Sequence, residues 1–300
     1  MLVLFLYSID IFKLIWYYIF VERFIQIGGD NMLEINLKGK QFLNALRQVS
    51  HGISTDSTHP ILKYIYLEVE QKSIVLTSTD GIRLEHASVA ALVDSDLVGR
   101  SFLIDGHVAK HITSKMLAHG STFCLQFTRT SDDTFSDKIK LVDGVKNTYT
   151  SDPSRGGGRA ELFPGFDSII NVAYRPAVAI NISANEFRTK QQKVMKYYRE
   201  KIIPGKEQVE VLTVQANGSI SIAVYGDENI TQQFLNAKIA NSNGMPSKKG
   251  ELKIFFNARK MQQILRYLPT REPLTIKIDQ TTTLAILRKN GFSFLAPIRF

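Results

Sequence analysis

The chain has 300 residues, 44% of them hydrophobic and 22% charged. This composition excludes a disordered or collagen-like protein and fits one large or two ordinary globular domains. Its 37 Lys and Arg outnumber its 28 Asp and Glu, for a formal net charge of +9. That excess favours a polyanionic partner, either nucleic acid or an acidic membrane surface. The single cysteine, Cys124, excludes an internal disulfide and a multi-cysteine zinc site, and it predicts a reducing compartment, the cytoplasm.

The N-terminal segment differs from the rest of the chain. Residues 2–20 are apolar and aromatic and nearly long enough to span a membrane, but Asp10 and Lys13 would be costly there. We predict that residues 1–31 are an upstream extension, which need not be translated, and that the working protein begins at Met32. The alternative is a membrane-anchored basic binding protein that uses residues 2–20. The extension holds two basic and three acidic residues, so the remainder carries +10.

Three short patterns recur in the same order at nearly one spacing, which predicts an internal repeat. Ile35-Asn36-Leu37 recurs as Ile180-Asn181-Ile182, at an offset of 145 residues. Ser73-Ile74-Val75-Leu76 recurs as Ser219-Ile220-Ser221-Ile222, at an offset of 146. Phe102-Leu103-Ile104-Asp105 recurs as Ile254-Phe255-Phe256-Asn257, at an offset of 152. We therefore predict an α+β protein of two similar domains, over residues 32–170 and 176–300. Each domain is expected to combine antiparallel sheets with two helices.

Local signals place the elements of each copy. Asp105 and Asn257 are positioned to cap the second helix of each copy. Ser183 and Glu186 form a capping box, in which the serine accepts from a helical N–H and the glutamate reaches back. The Gly-, Ser- and Pro-rich stretch Thr148–Arg159 predicts a loop. Alternating patterns predict strands over Tyr64–Glu70, Ser73–Thr79, Phe123–Thr128, Glu207–Gln215, Ser219–Tyr225 and Leu274–Ile278.

Basic residues concentrate on the four predicted helices, whereas acidic residues gather elsewhere, as at Asp132-Asp133 and Asp227-Glu228. If the four helices lie on one side, that side is a basic surface suited to a phosphate backbone. Without a recognition motif, such contacts position the protein on DNA without reading its sequence. The candidate DNA-facing residues are Lys38, Lys40, Arg47, Lys110, Lys115, Arg188, Lys190, Lys193, Lys196, Arg199, Arg259 and Arg266.

Catalysis has little support in the sequence. His107 and His111 have the spacing of two metal ligands on one helical turn, but no third ligand is evident, so we interpret them as solvated residues. A metal-dependent enzyme that uses this pair is the alternative. Asp80, in Thr79-Asp80-Gly81, is expected in a turn between strands. We expect no enzymatic activity, no metal and no cofactor.

Three stretches resemble the bacterial sliding clamp family, the beta subunit of DNA polymerase III. They are His59-Pro60-Ile61-Leu62 with Tyr66-Leu67-Glu68 and Thr77–Leu84, then Leu162-Phe163-Pro164-Gly165-Phe166, and the C-terminal Phe294-Leu295-Ala296-Pro297-Ile298-Arg299-Phe300. The resemblance implies a ring of repeated domains with the helices inside, which encircles double-stranded DNA and serves as a replication processivity factor. Bacterial members have three such domains, whereas this chain has two, which resemble the middle and last ones. A six-domain ring would then be a homotrimer, although a dimer or an open assembly remains an alternative.

The resemblance also implies protein partners. In the family, the replicative polymerase and the clamp loader insert a short apolar peptide into a pocket between the last two domains. Ser168 stands where the family often has a basic residue at the edge of that pocket. The matching pocket positions are Leu62, Thr79, Gly81, Arg83, Leu84, Pro164, Ile169, Lys260, Thr281, Thr283, Phe294, Leu295, Ala296, Pro297, Ile298 and Arg299. Plain core packing is the alternative for Leu62, Leu84 and Ile169.

Overall fold

The structure is a computed structural model of the chain. The apolar N-terminal segment and the predicted domain junction, near Ile170–Pro176, lie outside the described residues. No helix within the described part of the chain combines the length and the apolar character that a membrane crossing needs. The described residues are 32–56, 58–115, 122–130, 135–145, 147–166, 178–201, 208–241, 250–266, 268, 273–278, 284–288 and 291–296.

In the first half of the structure, the described residues between 32 and 166 form eight strands and two α-helices. Short 3-10 turns lie at Pro60–Lys63, Ser95–Leu97, Pro153–Gly156 and Ala160–Leu162. In chain order the elements are β1 (Met32–Lys38), α1 (Gly39–Val49), β2 (Tyr64–Val69), β3 (Ser73–Thr79), β4 (Arg83–Val93), β5 (Ser101–Asp105), α2 (Gly106–Lys115), β6 (Thr122–Arg129), β7 (Phe135–Asp143) and β8 (Thr148–Ser151).

The second half, residues 178–296, repeats this order of elements. Among the described α-helices and strands, the strand corresponding to β4 is divided into two short strands, preceded by a single helical turn. The elements are β9 (Val178–Ser183), α3 (Ala184–Lys201), β10 (Val209–Gln215), β11 (Ile220–Val224), α4 (Glu228–Thr231), β12 (Gln233–Phe234), β13 (Lys238–Asn241), β14 (Glu251–Asn257), α5 (Ala258–Arg266), β15 (Pro273–Ile278), β16 (Leu284–Arg288) and β17 (Gly291–Leu295).

The strand pairing repeats as well, and every pair is antiparallel. The ladder β1–β6–β7–β8 of the first half corresponds to β9–β15–β16–β17 of the second. The ladder β5–β2–β3–β4 corresponds to β14–β10–β11–β12. In addition, β4 pairs with β1, as β13 pairs with β9. The pair of β4 with β17 joins the two halves into a continuous sheet. The repeated patterns in the sequence thus correspond to two copies of one topology.

Each half has its own hydrophobic core beneath its two helices. In the first half, Phe42 and Leu46 of α1 and Ile112 of α2 pack with buried residues of the strands. In the second half, Phe187 of α3 and Ile264 of α5 occupy similar places. The apolar stripes at helical spacing that mark these helices in the sequence therefore face the sheets.

The predicted helix caps are confirmed with one correction. Asp105 Oδ1 accepts from the backbone N–H of His107 at 2.7 Å, and Asn257 Oδ1 accepts from that of Lys260 at 3.0 Å. Ser183 Oγ accepts from the N–H of Glu186 at 3.0 Å. The capping box is incomplete, because the Glu186 carboxylate instead accepts from a backbone N–H 50 residues away. A distant donor therefore replaces the local contact of the motif.

The loop predicted over Thr148–Arg159 is wrong at its start. Thr148–Ser151 form β8, which pairs with β7, and Pro153–Gly156 form a 3-10 turn. Polar residues suit this strand because it lies at the edge of its sheet, where only one side is paired. The predicted turn at Asp80 is confirmed: its Oδ1 accepts from the backbone N–H groups of Ile82 and Arg83.

Candidate functional site

Most of the candidate DNA-facing cations that can be placed are exposed. Lys115 and Arg199 lie on α2 and α3, but their side chains are outside the described part of the structure. Arg47 and Lys190 are half-buried, and Lys190 Nζ lies 4.0 Å from Glu186 Oε1. The exposed cations are Lys38, Lys40, Lys110, Lys193, Lys196, Arg259 and Arg266. The first of these ends β1, and the others lie on the four long helices.

Arg188 differs from the other cations of α3. Its guanidinium donates to the carbonyl of Leu265 at 3.0 and 2.8 Å and also to the carbonyl of Leu268. The Leu265 carbonyl lies in the last turn of α5, where a helix leaves acceptors without intrahelical donors, and Leu268 follows the end of the helix. Cations are also favoured there by the helix dipole. Arg188 therefore joins α3 to the end of α5, and its side chain is half-buried, unlike the seven exposed candidates.

The junction between the two halves is an antiparallel strand pair, which we call the seam. It joins Arg83–Ala87 of β4 to Gly291–Leu295 of β17. The backbones approach closely at Gly291, where an added Cβ would lie 2.1 Å from the carbonyl oxygen of His86. Because side chains alternate along a strand, the seam has two faces of different character.

The face of the seam that meets α5 is polar and ionic. Arg83 Nη1 donates to Gln263 Oε1 at 2.8 Å, and its Nη2 lies 3.6 Å from Asp80 Oδ2. Lys260 of α5 forms an ion pair with the same Asp80 carboxylate. Arg83 and Glu85 are 3% and 1% exposed, so this is an interior group of charges. We call the whole set the seam cluster: Asp80, Arg83, Glu85, Lys260, Gln263 and Ser293.

The opposite face of the seam is aromatic. The His86 ring stacks on Phe292 with a centroid distance of 4.3 Å, and Phe166 packs edge-on against His86 at 6.4 Å. Leu84 and Phe294 are buried in the same group. Burial lowers the pKa of His86 to about 4, so the ring is neutral at pH 7. A neutral imidazole can pack among aromatic rings without the cost of burying a charge.

The expected partner pocket is divided between these two faces. Leu84 and Phe294 lie on the aromatic face. The Arg83 side chain points to the polar face, where it contacts other residues of the seam cluster. Leu295 is fully buried in the core of the second half. Arg83 and Leu295 therefore do not line one cleft with Leu84, because neighbouring residues on a strand point to opposite faces.

The other pocket residues are distributed as follows. Leu62 is buried, Thr79 is half-buried, and Gly81 and Pro164 are exposed. Lys260 belongs to the seam cluster, and the half-buried Ala296 donates its N–H to the Ile82 carbonyl at 2.9 Å. The positions outside the described residues are Ile169, Thr281, Thr283, Pro297, Ile298 and Arg299.

Sequence reasoning missed several seam residues. Extending the alternation of β4 back by one residue would have placed Ile82, which is 46% exposed, on the same face as Leu84. The contacts of His86 with Phe166 and Phe292 could not be predicted, because no local sequence pattern links these three residues. Gln263 likewise gives no sign in the sequence that it meets an arginine 180 residues away.

Two shallow cavities lie in the second half. One, of about 240 Å³, lies between α3 and α5 and is lined by Met195, Gln208, Arg259, Gln262 and Gln263. The other, of about 200 Å³, lies between α3 and the α4–β12 segment and is lined by Lys193, Lys196, Tyr197, Ile230, Thr231 and Gln233. Both adjoin the basic face of α3 or α5.

His107 and His111 are exposed on α2, and the ring of His111 packs edge-on against Tyr149 at 6.0 Å. Among the residues whose positions are described, no three of His, Cys, Asp or Glu are grouped as metal ligands would be. The exposure of both side chains agrees with their interpretation as solvated residues.

Comparison with known proteins identifies the first half. Residues 36–145 match the family model described as DNA polymerase III beta subunit, central domain. This segment belongs to the DNA polymerase III beta subunit family. The match agrees with the expectation that the first half resembles the middle domain of the bacterial clamp. Members of this family are not enzymes, which agrees with the expectation of no catalytic activity.

Solved beta subunits have the same fold as most of this chain. The sliding clamp of Bacillus subtilis superposes with a TM-score of 0.69 at 17% identity, covering 89% of this chain and 64% of that one. The beta subunit of Pseudomonas aeruginosa gives 0.68 at 15% identity, with coverages of 91% and 68%. That of Thermotoga maritima gives 0.66 at 14%, with coverages of 91% and 67%. No curated protein matches in sequence.

These comparisons support a shortened α+β relative of the clamp. The chain spans about two thirds of the length of these solved beta subunits, and 64% of the Bacillus subtilis one. At such identities the structures establish the fold and not the assembly or the partners of this chain.

Proposed function

We propose that the protein is a DNA sliding clamp, a processivity factor that encircles double-stranded DNA and tethers a replicative polymerase in the cytoplasm. The two halves are taken as clamp domains of 32–170 and 176–300. The observation that carries the proposal is the repeated topology with its basic helices. Each half packs two helices together above antiparallel sheets, and seven exposed cations lie on or next to those helices.

The DNA contact is proposed to be electrostatic and independent of sequence. Exposed Lys and Arg on helices neutralise phosphates and release counterions, which binds any duplex and permits sliding. Encirclement then prevents dissociation, so that individual contacts can be weak. The polymerase is held near its template at high effective concentration because it is attached to the ring.

The strand edges support ring closure. Within the chain, β4 pairs with β17, and the repeat relates β4 to β12 and β17 to β8. Among the described strands, β8 pairs with β7 alone and β12 with β11 alone, so each has one open edge. We propose that β8 of one copy pairs with β12 of the next. Such head-to-tail contacts close into a ring when the rotation permits, and a six-domain ring needs three copies.

The partner pocket is proposed to lie on the aromatic face of the seam. Buried Leu84 and Phe294 form its floor, and exposed Ile82 and Pro164 lie beside it. An apolar peptide segment from a polymerase or clamp loader fits such a surface. Ile82→Asp is expected to abolish polymerase stimulation while the protein still assembles and retains DNA.

The decisive experiment measures mass and topological binding together. Protein expressed from Met32 is expected to have the mass of a trimer in solution and, once loaded, to stay on a circular duplex. Cutting the circle should release it, because a ring slides off a free end. A monomer that binds linear and circular DNA equally would overturn the proposal. A protein that needs residues 2–20 and vesicles of acidic lipid for binding would instead support the membrane alternative.

A further inference from the structure

The seam cluster buries charged side chains at the junction between the halves, and a gain in stability does not explain this burial. Four charged side chains, two acidic and two basic, occupy the junction between the halves. Arg83 and Glu85 are almost fully buried, and Ser293 Oγ donates to Glu85 Oε2 at 2.5 Å. Removing such charges from water costs free energy that their mutual attraction barely repays. Buried ionic groups are better attested as devices that specify one arrangement than as sources of stability.

The strand pair of the seam does not define the angle between the halves by itself. It has five residue pairs, and the twist between neighbouring strands varies over roughly −10 to −35° among proteins. The hydrogen bonds of one strand pair therefore set the register and leave rotation about the seam soft.

The seam cluster supplies a second attachment away from the strand pair. Lys260 and Gln263 project from α5 of the second half, and they reach Asp80 and Arg83 of the first. Asp80 lies in the β3–β4 turn, and its other oxygen is fixed by two backbone N–H groups, which keeps the acceptor in place. The β4–β17 strand pair and the α5 contacts are two separate attachments. Together they determine the rotation of one half relative to the other, which the strand pair alone leaves variable.

We propose that the seam cluster fixes the angle between the two halves and thereby the angle at which successive copies meet. The residues act as positioning residues, because none of them needs to touch DNA or a partner. The consequence for assembly rests on the ring proposed above. A closed ring requires one fixed angle in every copy, since a variable angle produces open chains or rings of several sizes.

The test replaces the charges without leaving a buried charge unpaired. The neutral variant combines Asp80→Asn, Arg83→Met, Glu85→Gln and Lys260→Met, so that Asp80→Asn keeps the turn acceptor and Glu85→Gln can still accept from Ser293. The control is Lys253→Met, which removes an exposed ion pair with Glu251 inside the second half. Spin labels at Gln71→Cys and Ala216→Cys, in a Cys124→Ser background, report the distance between exposed turns of the two halves.

The neutral variant is expected to unfold at the wild-type temperature or above it, yet to broaden the distribution of interlabel distances at least twofold. It should also replace a single assembly mass by several. The control should leave both measurements at wild-type values. A narrow, unchanged distance distribution in the neutral variant would overturn the proposal.

Failure of the neutral variant to fold and failure of the wild-type protein to form a ring can each be distinguished from failure of the proposal. If the neutral variant does not fold, Lys260→Gln with Gln263→Ala removes only the α5 attachment, and the same broadening is expected. An unchanged distribution there overturns the proposal. If the wild-type protein forms no ring, the proposed function fails, but the distance distribution still decides whether the seam cluster sets the angle.

Discussion

The Gln191 side-chain amide donates to both carboxylate oxygens of Glu210, at 3.2 and 3.3 Å, in the interior of the second half. The same amide also donates to the carbonyl of Ala258 at the start of α5. The repeat offset of 145 relates this pair to Leu46 and Ile65, which are fully buried in the first half. The second half thus has a polar pair where the first has an apolar one.

Glu210 is expected to make the stability of the second half depend on pH. Burial raises the pKa of Glu210 well above its ordinary value of 4.5, and the Gln191 amide offsets this only in part. The folded state then holds a proton that the unfolded state releases. The contribution of Glu210 to stability is therefore fully present below pH 4.5 and is lost as pH rises through the folded pKa. Glu210→Leu with Gln191→Leu should remove this slope and raise stability, because an apolar pair replaces a buried ionisable one.

Urea unfolding between pH 5 and 9 measures this dependence. Within that range Tyr198, whose hydroxyl donates to the Val209 carbonyl beside Glu210, stays protonated, because burial raises its pKa further. Glu210→Gln serves as the neutral control of similar shape. A wild-type slope equal to that of Glu210→Gln would contradict the prediction.

His86 is expected to make the seam sensitive to acid. Its pKa is lowered to about 4, chiefly by burial, below an ordinary value of 6.5. The contribution of His86 to stability is therefore fully present above pH 6.5 and is lost as pH falls towards 4, because the imidazole is protonated in the unfolded chain but not in the folded one. His86→Phe keeps the stack on Phe292 and should flatten this part of the curve. The check is the difference in unfolding free energy between wild type and variant at pH 7 and pH 5.

Lys193 and Lys196 are expected to contact DNA phosphates. Both are exposed on α3, and neither is needed for the core. Neutralising both, as Lys193→Gln with Lys196→Gln, should reduce the slope of log K against log salt by about 0.9 for each phosphate that is no longer neutralised. The matched control is Lys72→Gln, an exposed lysine in the β2–β3 turn. Equal salt slopes in variant and control would show that α3 does not face DNA.

Arg188 is expected to act on stability through its helix–helix contact. Arg188→Ala leaves the carbonyls of Leu265 and Leu268 without their charged donor, which should cost about 1–3 kcal/mol. Lys190→Ala, on the same helix, removes only a 4.0 Å pair with Glu186 and should cost about 0–1 kcal/mol. Thermal unfolding of both variants distinguishes these roles. Similar losses in the two would argue against the assigned contact.

The β12 edge is expected to govern assembly. Ile230 is 70% exposed and Phe234 is 58% exposed, beside the strand edge proposed to meet β8 of another copy. Ile230→Asp with Phe234→Asp should convert the assembly to monomers at equal protein concentration, because a charge opposes burial of the edge. Leu92→Asp alters an exposed residue of β4 away from both open edges and should leave the mass unchanged. Sedimentation gives both masses, and a stable assembly in the double variant would refute the role of this edge.

The sequence by itself determined the local elements and the repeat. Asp105 and Asn257 predict helix starts because a cap joins groups two or three residues apart. The strand Ser73–Thr79 has the predicted bounds, but residues 74–78 are all buried, so the expected wet face is absent there. The concentration of cations on helices is likewise visible without a fold.

Only the tertiary structure decided which faces these residues present and what they meet. Arg83 and Leu84 are neighbours in the sequence but lie on opposite faces of the seam, and Arg83 meets Gln263 across 180 residues. In the sequence, Arg188 does not differ from the other cations of α3. In the structure, it donates to the carbonyls of Leu265 and Leu268, at and beyond the end of α5. Contacts between distant segments depend on how the two halves pack, and local patterns carry no record of that packing. The seam cluster holds two basic and two acidic residues, so the excess of positive charge lies outside it.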